Sequence, residues 1–464
     1  MRRVAKQCSL LLAARLVLLL VVSVSVGGRC AVCRAEVVLE QDVAGAFHLN
    51  TSDPSSQPVF VNGLNVNAAI STLLETVTAQ QITLDAQQSI NTVLQSTIDA
   101  QQITIDAQES INTVLQSAID AQQSTIDAQQ GRIDALRAEV CHANASIFGG
   151  QLSTLTFLWI GGVLANNGLI YAAPYNSPSV LIVDPSTNTF DTTTISGFSD
   201  SGNKWAGAVL ASNGLIYMFP SFATTLLIVD PDTNTTDTTS IETSVDGNNK
   251  WFGGVVADNG LIFGIPFFAT SVLIVDPETN TTDTTTLAGL PSDSSKWYGG
   301  VLAPNGLIYG IPNSAAYVLV VDPVALTTDI TTLAGLDTAS FKWRGAVLAP
   351  NGLIYAIPEM AAAMLVIDPA TNATDVLVVA DEASSRKWRG GALAPNGNII
   401  GIPHDSGSVL IVDPATNATD TTTITGLNAL DGSRKWNDAV LANNGLIYGI
   451  PSHADTVLVI DPGC

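Results

Sequence analysis

The sequence is poor in the side chains that most often carry chemistry. Its 464 residues include four histidines and five cysteines, and only 13% of them are charged. Basic residues number 18 against 41 acidic ones, so the formal net charge is −23. Nucleic acids and anionic membrane surfaces bind proteins that carry a basic footprint, and this balance argues against both as partners. No HExxH motif or phosphate-binding glycine loop is present, so we expect neither a metal nor a cofactor.

Long apolar runs are also missing, except near the N-terminus. There a basic start, MRRVAKQ, precedes the apolar run SLLLAARLVLLLVVSVSV and a group of small residues. This pattern predicts a secretory signal peptide over residues 1–35, cleaved after Ala35. An uncleaved membrane anchor is the alternative, and only then would the protein contact a membrane. Cleavage would leave two cysteines, Cys141 and Cys464, and an even count in a secreted chain indicates one disulfide.

Internal repeats dominate residues 141–464. The seven tryptophans of the sequence stand at spacings of 46, 46, 46, 46, 45 and 48 residues. Each unit reads like KWYGGVLAPNGLIYGIPNSAAYVLVVDP followed by a threonine-rich run. The segments GGVLA, LIYGIP, VLIVDP and TTDTTTI are four strand signals, and Asn-Gly between the first two favours a tight two-residue hairpin turn. Seven units of four strands predict an all-β, seven-bladed propeller.

The ends of the repeat region suggest how the ring closes. The seventh unit reaches Asp461-Pro462-Gly463-Cys464 before its fourth strand, which must then come from residues ahead of Trp159. Cys141 lies 18 residues before Trp159 and occupies the same position in the repeat frame as Cys464. The register therefore predicts a Cys141–Cys464 disulfide at the seam of the ring, with two unrelated thiols as the alternative.

Residues 70–140 have a different composition, rich in glutamine and free of proline. Two nearly identical 21-residue blocks place apolar residues at a seven-residue period, for example Leu84, Ile98 and Ile105. A strict heptad over this length predicts a coiled-coil stalk of roughly 105 Å, at 1.5 Å per residue. Asn91 and Asn112 interrupt the apolar row with polar layers, which favour a coiled coil of two helices. Isoleucines beside glutamine layers fit a coiled coil of three helices. We therefore expect a homo-trimer or dimer. Residues 36–69, without a clear period, are interpreted as a linker or flexible tip.

Lysine has an unusual distribution in the repeats, because every lysine after the signal peptide directly precedes a repeat tryptophan. Two arginines follow tryptophans, and all these positions begin the innermost strand, at one rim of the channel. Lysine charge and tryptophan stacking would suit an anionic or sugar ligand. Alternatively, duplication copied a packing motif in which tryptophan lies between blades and lysine covers it. The candidate ligand-binding residues are Lys204, Trp205, Lys250, Trp251, Lys296, Trp297, Lys342, Trp343, Arg344, Lys387, Trp388, Arg389, Lys435 and Trp436.

The loop after Ile-Pro varies most between units and contains His404 and His453 in adjacent blades. Two histidines with nearby aspartates are candidates for acid–base catalysis, although polar surface residues are the simpler explanation. Six N-x-Ser/Thr sequons also occur, and four of them share the Asp-Pro turn on the opposite face of the propeller. In a eukaryotic host they would be glycosylated. The sequons are at Asn50, Asn144, Asn234, Asn280, Asn372 and Asn417.

From Trp159 to Cys464 the blades resemble extracellular seven-bladed propellers of the kelch, NHL-repeat and streptogramin-lyase type, through PNGLIYGIP and VLIVDPxTN. The resemblance implies the fold, and for the lyase type a His–Glu arrangement on the propeller face, which His404 and His453 would partly supply. The copper site of galactose-oxidase relatives has no equivalent set of residues here.

Together these features predict a secreted, extracellular or cell-surface protein with propeller heads on a coiled-coil stalk. The leading hypothesis is an oligomeric adhesive or lectin-like protein that binds an extracellular glycan or protein. Several heads on one oligomer would bind a surface more tightly than a single weakly binding head. A structural component of an extracellular coat or appendage is a second hypothesis. A propeller lyase or hydrolase is a third, and enzymatic activity is the less favoured reading.

Overall fold

A computed structural model describes residues 37–41, 47–51, 60–61, 64–150, 152, 156–200, 202–243, 245–379, 386–427 and 434–464. The predicted signal peptide lies outside these residues. The chain divides into two compact units, Met1–Ala128 and Gln129–Cys464, which are described separately.

A long helix dominates the first unit. Helix α1 spans Val66–Val140 and begins four residues earlier than the heptad pattern predicts. Its start is fixed by Asn65, whose Oδ1 accepts a hydrogen bond from the backbone N–H of Ala68 at 3.0 Å and so caps the first turn. The described part of residues 36–69, expected to be a linker, contains two antiparallel strand pairs. These are β1 (Val37–Gln41) with β2 (Phe47–Thr51), and β3 (Phe60–Val61) with β4 (Leu64–Asn65).

The second unit contains seven four-stranded antiparallel sheets, which confirms the predicted seven-bladed all-β propeller. The innermost strand of each blade starts at the repeat tryptophan. These strands are β6 (Trp159–Leu164), β10 (Trp205–Leu210), β14 (Trp251–Val256), β18 (Trp297–Leu302), β22 (Trp343–Leu348), β26 (Trp388–Leu393) and β30 (Trp436–Leu441). The second strand ends at the proline of Ile-Pro or its equivalent. These are β7 (Ile170–Pro174), β11 (Ile216–Pro220), β15 (Ile262–Pro266), β19 (Ile308–Pro312), β23 (Ile354–Pro358), β27 (Ile399–Pro403) and β31 (Ile447–Pro451).

The third strand ends at the aspartate of Asp-Pro, since proline cannot donate to the next rung of a sheet. The third strands are β8 (Leu181–Asp184), β12 (Leu227–Asp230), β16 (Leu273–Asp276), β20 (Leu319–Asp322), β24 (Ala363–Asp368), β28 (Leu410–Asp413) and β32 (Thr456–Asp461). Most outer strands are short, because a threonine-capped aspartate turn follows them. The outer strands are β9 (Thr189–Asp191), β13 (Thr235–Asp237), β17 (Thr281–Asp283), β21 (Thr327–Asp329), β25 (Ala373–Val378), β29 (Ala418–Asp420) and β5 (Asn144–Gly149).

The ring closes within the seventh blade. Strand β5 comes from ahead of the first tryptophan and pairs antiparallel with β32, from Asn144 opposite Asp461 to Gly149 opposite Thr456. A disulfide joins Cys141 to Cys464 beside this pairing, with Cα atoms 5.0 Å apart. The seam is thus held by a six-residue ladder and by one covalent bond.

The Asn-Gly turns differ from the predicted two-residue hairpins. In the first blade the N–H of Gly168 donates to the carbonyl of Ala165 at 3.0 Å, and Gly168 has a φ of +83°. This is a longer turn that ends in a left-handed glycine. The side chain of Asn167 determines it, because Oδ1 accepts from the N–H of Leu169 while Nδ2 donates to the carbonyl of Pro231 in the next blade.

The hydrophobic core lies between adjacent blades rather than in one centre. Between the first two blades, Tyr171 and Ile182 of one sheet pack with Trp205, Ile216 and Val229 of the next. Similar clusters occur between the following blades, and the seventh blade packs against the first. The blades therefore stabilise one another around the ring.

Candidate functional site at one end of the propeller channel

Glycine brings the inner strands close to the axis. Each inner strand has a register irregularity just after its tryptophan, and in six blades a glycine with positive φ occupies the second position after that residue. A Cβ built on Gly207 would lie 2.4 Å from the Cα of Gly253 in the next blade, so no larger residue fits there. In the seventh blade Asp438 stands at this position.

In each repeat, two further residues lie at the same end of the channel as these glycines. The register places each tryptophan opposite the proline that ends the second strand, for example Trp205 opposite Pro220, so the residues after both lie at the same end of the blade. We call these sets the Trp+1 ring and the Pro+1 ring. The Trp+1 ring contains Ile160, Ala206, Phe252, Tyr298, Arg344, Arg389 and Asn437. The Pro+1 ring contains Tyr175, Ser221, Phe267, Asn313, Glu359, His404 and Ser452.

Backbone hydrogen bonds between blades fix the Pro+1 ring. In six blades the lysine N–H donates to the Pro+1 carbonyl of the preceding blade, as Lys435 does to His404 at 3.0 Å. In the first blade, Leu158 stands in place of lysine and its N–H donates to the carbonyl of Ser452 at 2.8 Å. This ring of bonds continues across the seam.

The six lysines among the candidate ligand-binding residues are buried. They are between 0% and 8% exposed, and their ammonium groups donate to backbone carbonyls. Lys435 Nζ, for example, donates to the carbonyls of His404 and Ser406 at 3.1 and 2.8 Å. Burial lowers the pKa of Lys204, Lys296 and Lys342 to about 8. These lysines join adjacent blades, and a role in ligand binding stays a prediction for them.

The repeat tryptophans are also interior. All seven are at most 5% exposed, and each indole N–H donates to the backbone carbonyl of the residue 20 positions later. The ammonium groups of four lysines lie 5.4 to 6.0 Å from the ring of the following tryptophan. This is the packing arrangement given above as the alternative to a binding surface, and stacking of these rings on a ligand stays a prediction.

The two arginines of the predicted site lie in a buried ionic group. Arg389 is 2% exposed, and its Nε and Nη2 donate to Oε1 of Glu359 at 3.0 and 2.5 Å. Its Nη1 lies 3.4 Å from Oδ1 of Asn437 in the next blade. Burial, together with the nearby charge of Arg344, lowers the pKa of Arg389 to about 10, which leaves the guanidinium charged at neutral pH.

Arg344 links this ionic group to the aromatic side of the channel. Its Nη2 donates to the hydroxyl of Tyr298 at 2.8 Å, and its guanidinium carbon lies 3.8 Å from the centroid of that ring. Its Nη1 lies 4.0 Å from Oε2 of Glu359. Beyond Tyr298 the channel end is mainly aromatic, since the side-chain rings of Phe252 and Phe267 lie 5.3 and 6.1 Å from that of Tyr298.

His404 belongs to the same group, whereas His453 lies at its edge. His404 is fully buried, and its Nδ1 lies 2.8 Å from the carbonyl of Trp436, which can only accept. Nδ1 therefore carries the proton, and Nε2 is left as an acceptor. Burial and the charge of Arg389 lower the pKa of His404 well below its ordinary value, so the imidazole is neutral. His453 is partly exposed and packs edge-on against Phe157, with centroids 4.2 Å apart. Catalysis by either histidine stays a prediction.

One half of this channel end is thus polar and charged, and the other is aromatic. We call the polar half, formed by blades four to seven, the polar cluster: Asn313, Arg344, Glu359, Arg389, His404 and Asn437. Both arginines and His404 are among the residues predicted from the sequence, whereas Glu359 and the asparagines are not. The sequence does contain a signal for them, because the Trp+1 and Pro+1 positions change between aromatic, acidic, basic and amide side chains while their neighbours repeat.

The predicted glycosylation sites lie away from this cluster. Asn234, Asn280, Asn372 and Asn417 occupy the turn after Asp-Pro with φ between +52° and +57°. Asn234 is half-buried, the other three are exposed, and Asn144 in β5 is exposed as well. Their modification stays a prediction. In the described ranges, no three His, Cys, Asp or Glu side chains come together in a group that could hold a metal.

Comparison with known proteins agrees with the fold. The model of a repeat of unknown function (DUF6923) matches residues 252–444. No curated protein matches the sequence significantly. The structure of streptogramin B lyase has a TM-score of 0.54 at 10% identity, covering 68% of this chain and 96% of that one. A catalytically inactive virginiamycin B lyase from Staphylococcus aureus, solved with quinupristin, gives 0.55 at 8% identity, covering 69% of this chain and 99% of that one.

A third similar structure is the extracellular domain of a one-component system protein from B. thetaiotaomicron. It has a TM-score of 0.52 at 9% identity and covers 68% of this chain and 42% of that one. In the part of the chain that the structure describes, no helix meets the length and hydropathy of a membrane span. The chain is therefore similar in fold to the propellers of streptogramin lyases and of extracellular sensor domains.

Proposed function

We propose that this protein is a secreted, oligomeric binding protein of the adhesive or lectin-like type, with propeller heads on a coiled-coil stalk. The observation that carries the proposal is the unburied apolar row of helix α1. Ile98, Ile105, Ile119 and Ile126 repeat at intervals of seven or fourteen residues, and each is between 51% and 56% exposed. An apolar row of this length is stable in water only when other helices cover it.

The occupant of that row is a further copy of the same helix. Asn91 and Asn112 recur in the row at the same place in both 21-residue blocks, so identical helices in register would place asparagine beside asparagine. Gln87 and Gln108 donate to the Oδ1 atoms of these asparagines at 3.4 and 3.2 Å. This orients each amide and leaves its Nδ2 to donate across the helix interface. Dimers and trimers both satisfy the pattern.

Joined stalks would make the heads multivalent. Two or three identical heads on one stalk raise the apparent affinity for a surface by a factor on the order of 10² to 10⁴ when the geometry permits simultaneous binding. The extracellular domains with a similar propeller, and the basic and apolar start of the sequence, support placement outside the cell. The polar cluster supports a binding role for the head, because it collects charged side chains in an otherwise apolar interior.

Light scattering coupled to gel filtration tests the proposal on the full chain. The wild type is expected at two or three times the monomer mass, and Ile98→Asp with Ile119→Asp at the monomer mass. Thr97→Ala with Ser117→Ala, which changes the same helical turns outside the row, is the matched control and should stay oligomeric. A monomeric wild type would overturn the proposal. An oligomer without a ligand for its heads would instead favour a structural coat or appendage protein.

A further inference from the structure

Five buried polar atoms lack a hydrogen-bond partner among the described residues, and all five belong to the polar cluster. They are Asn313 Oδ1, Arg344 Nε, Glu359 Oε2, His404 Nε2 and Asn437 Nδ2. Their residues are at most 8% exposed and come from four consecutive blades. More than nine in ten buried polar groups in proteins are paired, and an unpaired one costs roughly 1–3 kcal/mol. The concentration of such atoms in one place indicates that something other than the protein satisfies them.

These atoms belong to side chains of neighbouring blades at the same end of the propeller. Arg389 contacts Glu359 in the fifth blade and Asn437 in the seventh, so it bridges the cluster. Arg344 Nη1 is 4.0 Å from the unpaired Oε2 of Glu359. The charges of Arg389 and Arg344 both act on the ring of His404, which places all three within electrostatic range. A ligand that enters between these side chains would therefore meet several of the five atoms.

The cluster does not suit a simple ion. Arg344 and Arg389 oppose a cation. Three of the five free atoms are acceptors, on Glu359, His404 and Asn313, and an anion without a hydrogen-bond donor would leave them unpaired. A ligand that both donates and accepts without net charge satisfies the set, and a hydroxyl group does this.

The aromatic half of the channel end adds an apolar wall. The ring of Tyr298 contacts Arg344 on one side and packs near Phe252 on the other, and it is partly exposed. Two residues that follow Pro+1 positions, Phe268 and Met360, are 37% and 44% exposed, so a ligand can approach from this face. A sugar ring has an apolar face of C–H groups and an edge of hydroxyls, and so matches an aromatic wall beside donors and acceptors.

We propose that the polar cluster and Tyr298 form a recognition site for a neutral sugar, whose hydroxyls bind Glu359, His404 and Arg344 at the channel end. This inference deepens and rests on the proposed binding function. It moves the ligand contact from the lysine–tryptophan positions to the polar cluster and Tyr298. It also predicts that the site binds neutral glycans in preference to anionic ones.

A glycan array probed with the full-length protein tests the site. The array carries galactose, glucose, mannose and N-acetylglucosamine in both anomeric linkages, beside sialylated and sulfated glycans. Wild-type protein is expected to bind a neutral glycan. Glu359→Gln keeps the shape of the side chain but removes its charge and one acceptor. Because charged hydrogen bonds are the stronger ones, it should weaken binding about tenfold or more in calorimetry with the same glycan.

Ser221→Ala is the matched control, since it changes the Pro+1 position of the apolar half and should leave binding unchanged. If Glu359→Gln does not fold, Asn437→Ser removes the free Nδ2 with a small side chain and should weaken the same binding severalfold. Binding restricted to sialylated or sulfated glycans, or binding that both cluster variants retain, would overturn the inference. So would a folded oligomer that binds no glycan, with ordered water only between these side chains. Light scattering reports separately on the oligomer, so failure of the site does not imply failure of the stalk.

Discussion

Asp438 lies against Gly390 in the ring of inner strands. A Cβ on Gly390 would come 2.4 Å from Oδ1 of Asp438, so the carboxylate occupies space that glycines leave free in the other blades. The N–H of Ala439 donates to that Oδ1 at 2.9 Å. Burial raises the pKa of Asp438 to about 6, against an ordinary value of 3.8.

This raised pKa predicts a specific pH dependence. Folding favours the protonated carboxyl, so the stabilisation is complete below pH 4 and is lost as the pH rises through 6. Asp438→Asn should therefore raise the free energy of unfolding at pH 8 by up to ~3 kcal/mol and have little effect at pH 4. Chemical denaturation at both pH values measures this. Asp232→Asn, at an exposed turn, is the control, and an equal effect of Asp438→Asn at both pH values would contradict the prediction.

The interior position of the lysines predicts a loss of stability when one is replaced. Lys342 Nζ donates to the carbonyls of Ala315 and Ala339 at 2.9 and 3.1 Å. Lys342→Leu copies the first blade, where Leu158 takes this place, and should lower the free energy of unfolding by roughly 1–3 kcal/mol. Thermal unfolding followed by circular dichroism measures the change, with Leu158→Met as a near-neutral control. If Lys342→Leu lost glycan binding without losing stability, the ligand site would instead lie at the lysine positions.

The disulfide predicts a local effect at the seam. Replacing Cys141 and Cys464 by serine removes a link across 323 residues, which in chain-entropy models contributes about 5 kcal/mol at most. Because the lost link lies beside β5, amide exchange should accelerate first in Asn144–Gly149 and its partner β32. Hydrogen-exchange mass spectrometry resolves the blades. Uniform acceleration in all seven blades would contradict a seam-specific role.

In the proposed coiled-coil stalk, Asn91 and Asn112 should lower stability and select one oligomer. Asn91→Ile with Asn112→Ile should raise the melting temperature of the helical signal, because apolar residues replace polar ones in the seam. The same change should broaden the distribution of oligomers in light scattering, because the register is no longer fixed. Thr92→Ala with Thr113→Ala, one residue further along the helix, should change neither property. A single, unchanged oligomer in the isoleucine variant would show that asparagine does not select the assembly.

The propeller was predictable because its signals are local and repeated. Tryptophan spacing, Asp-Pro strand ends and the register of Cys141 with Cys464 each require only the sequence. The polar cluster is not local, since Arg389 and its partner Glu359 are 30 positions apart and meet only when the fifth and sixth blades pack together. The burial of the lysines could not be read from the sequence for a related reason. A buried ammonium requires carbonyl partners, and the partners of Lys435 belong to a different blade.

The position of Cys141 has a mechanical consequence. Strand β5 is the next element after helix α1, so a pulling force on the helix would enter the propeller at the seam of the ring. Without a covalent link that tension would act on the hydrogen bonds between β5 and β32. The disulfide passes the tension from Cys141 straight to Cys464, at the end of the last strand, before it can reach that ladder. We therefore expect the propeller to resist a pulling force on helix α1 better with this disulfide than without it.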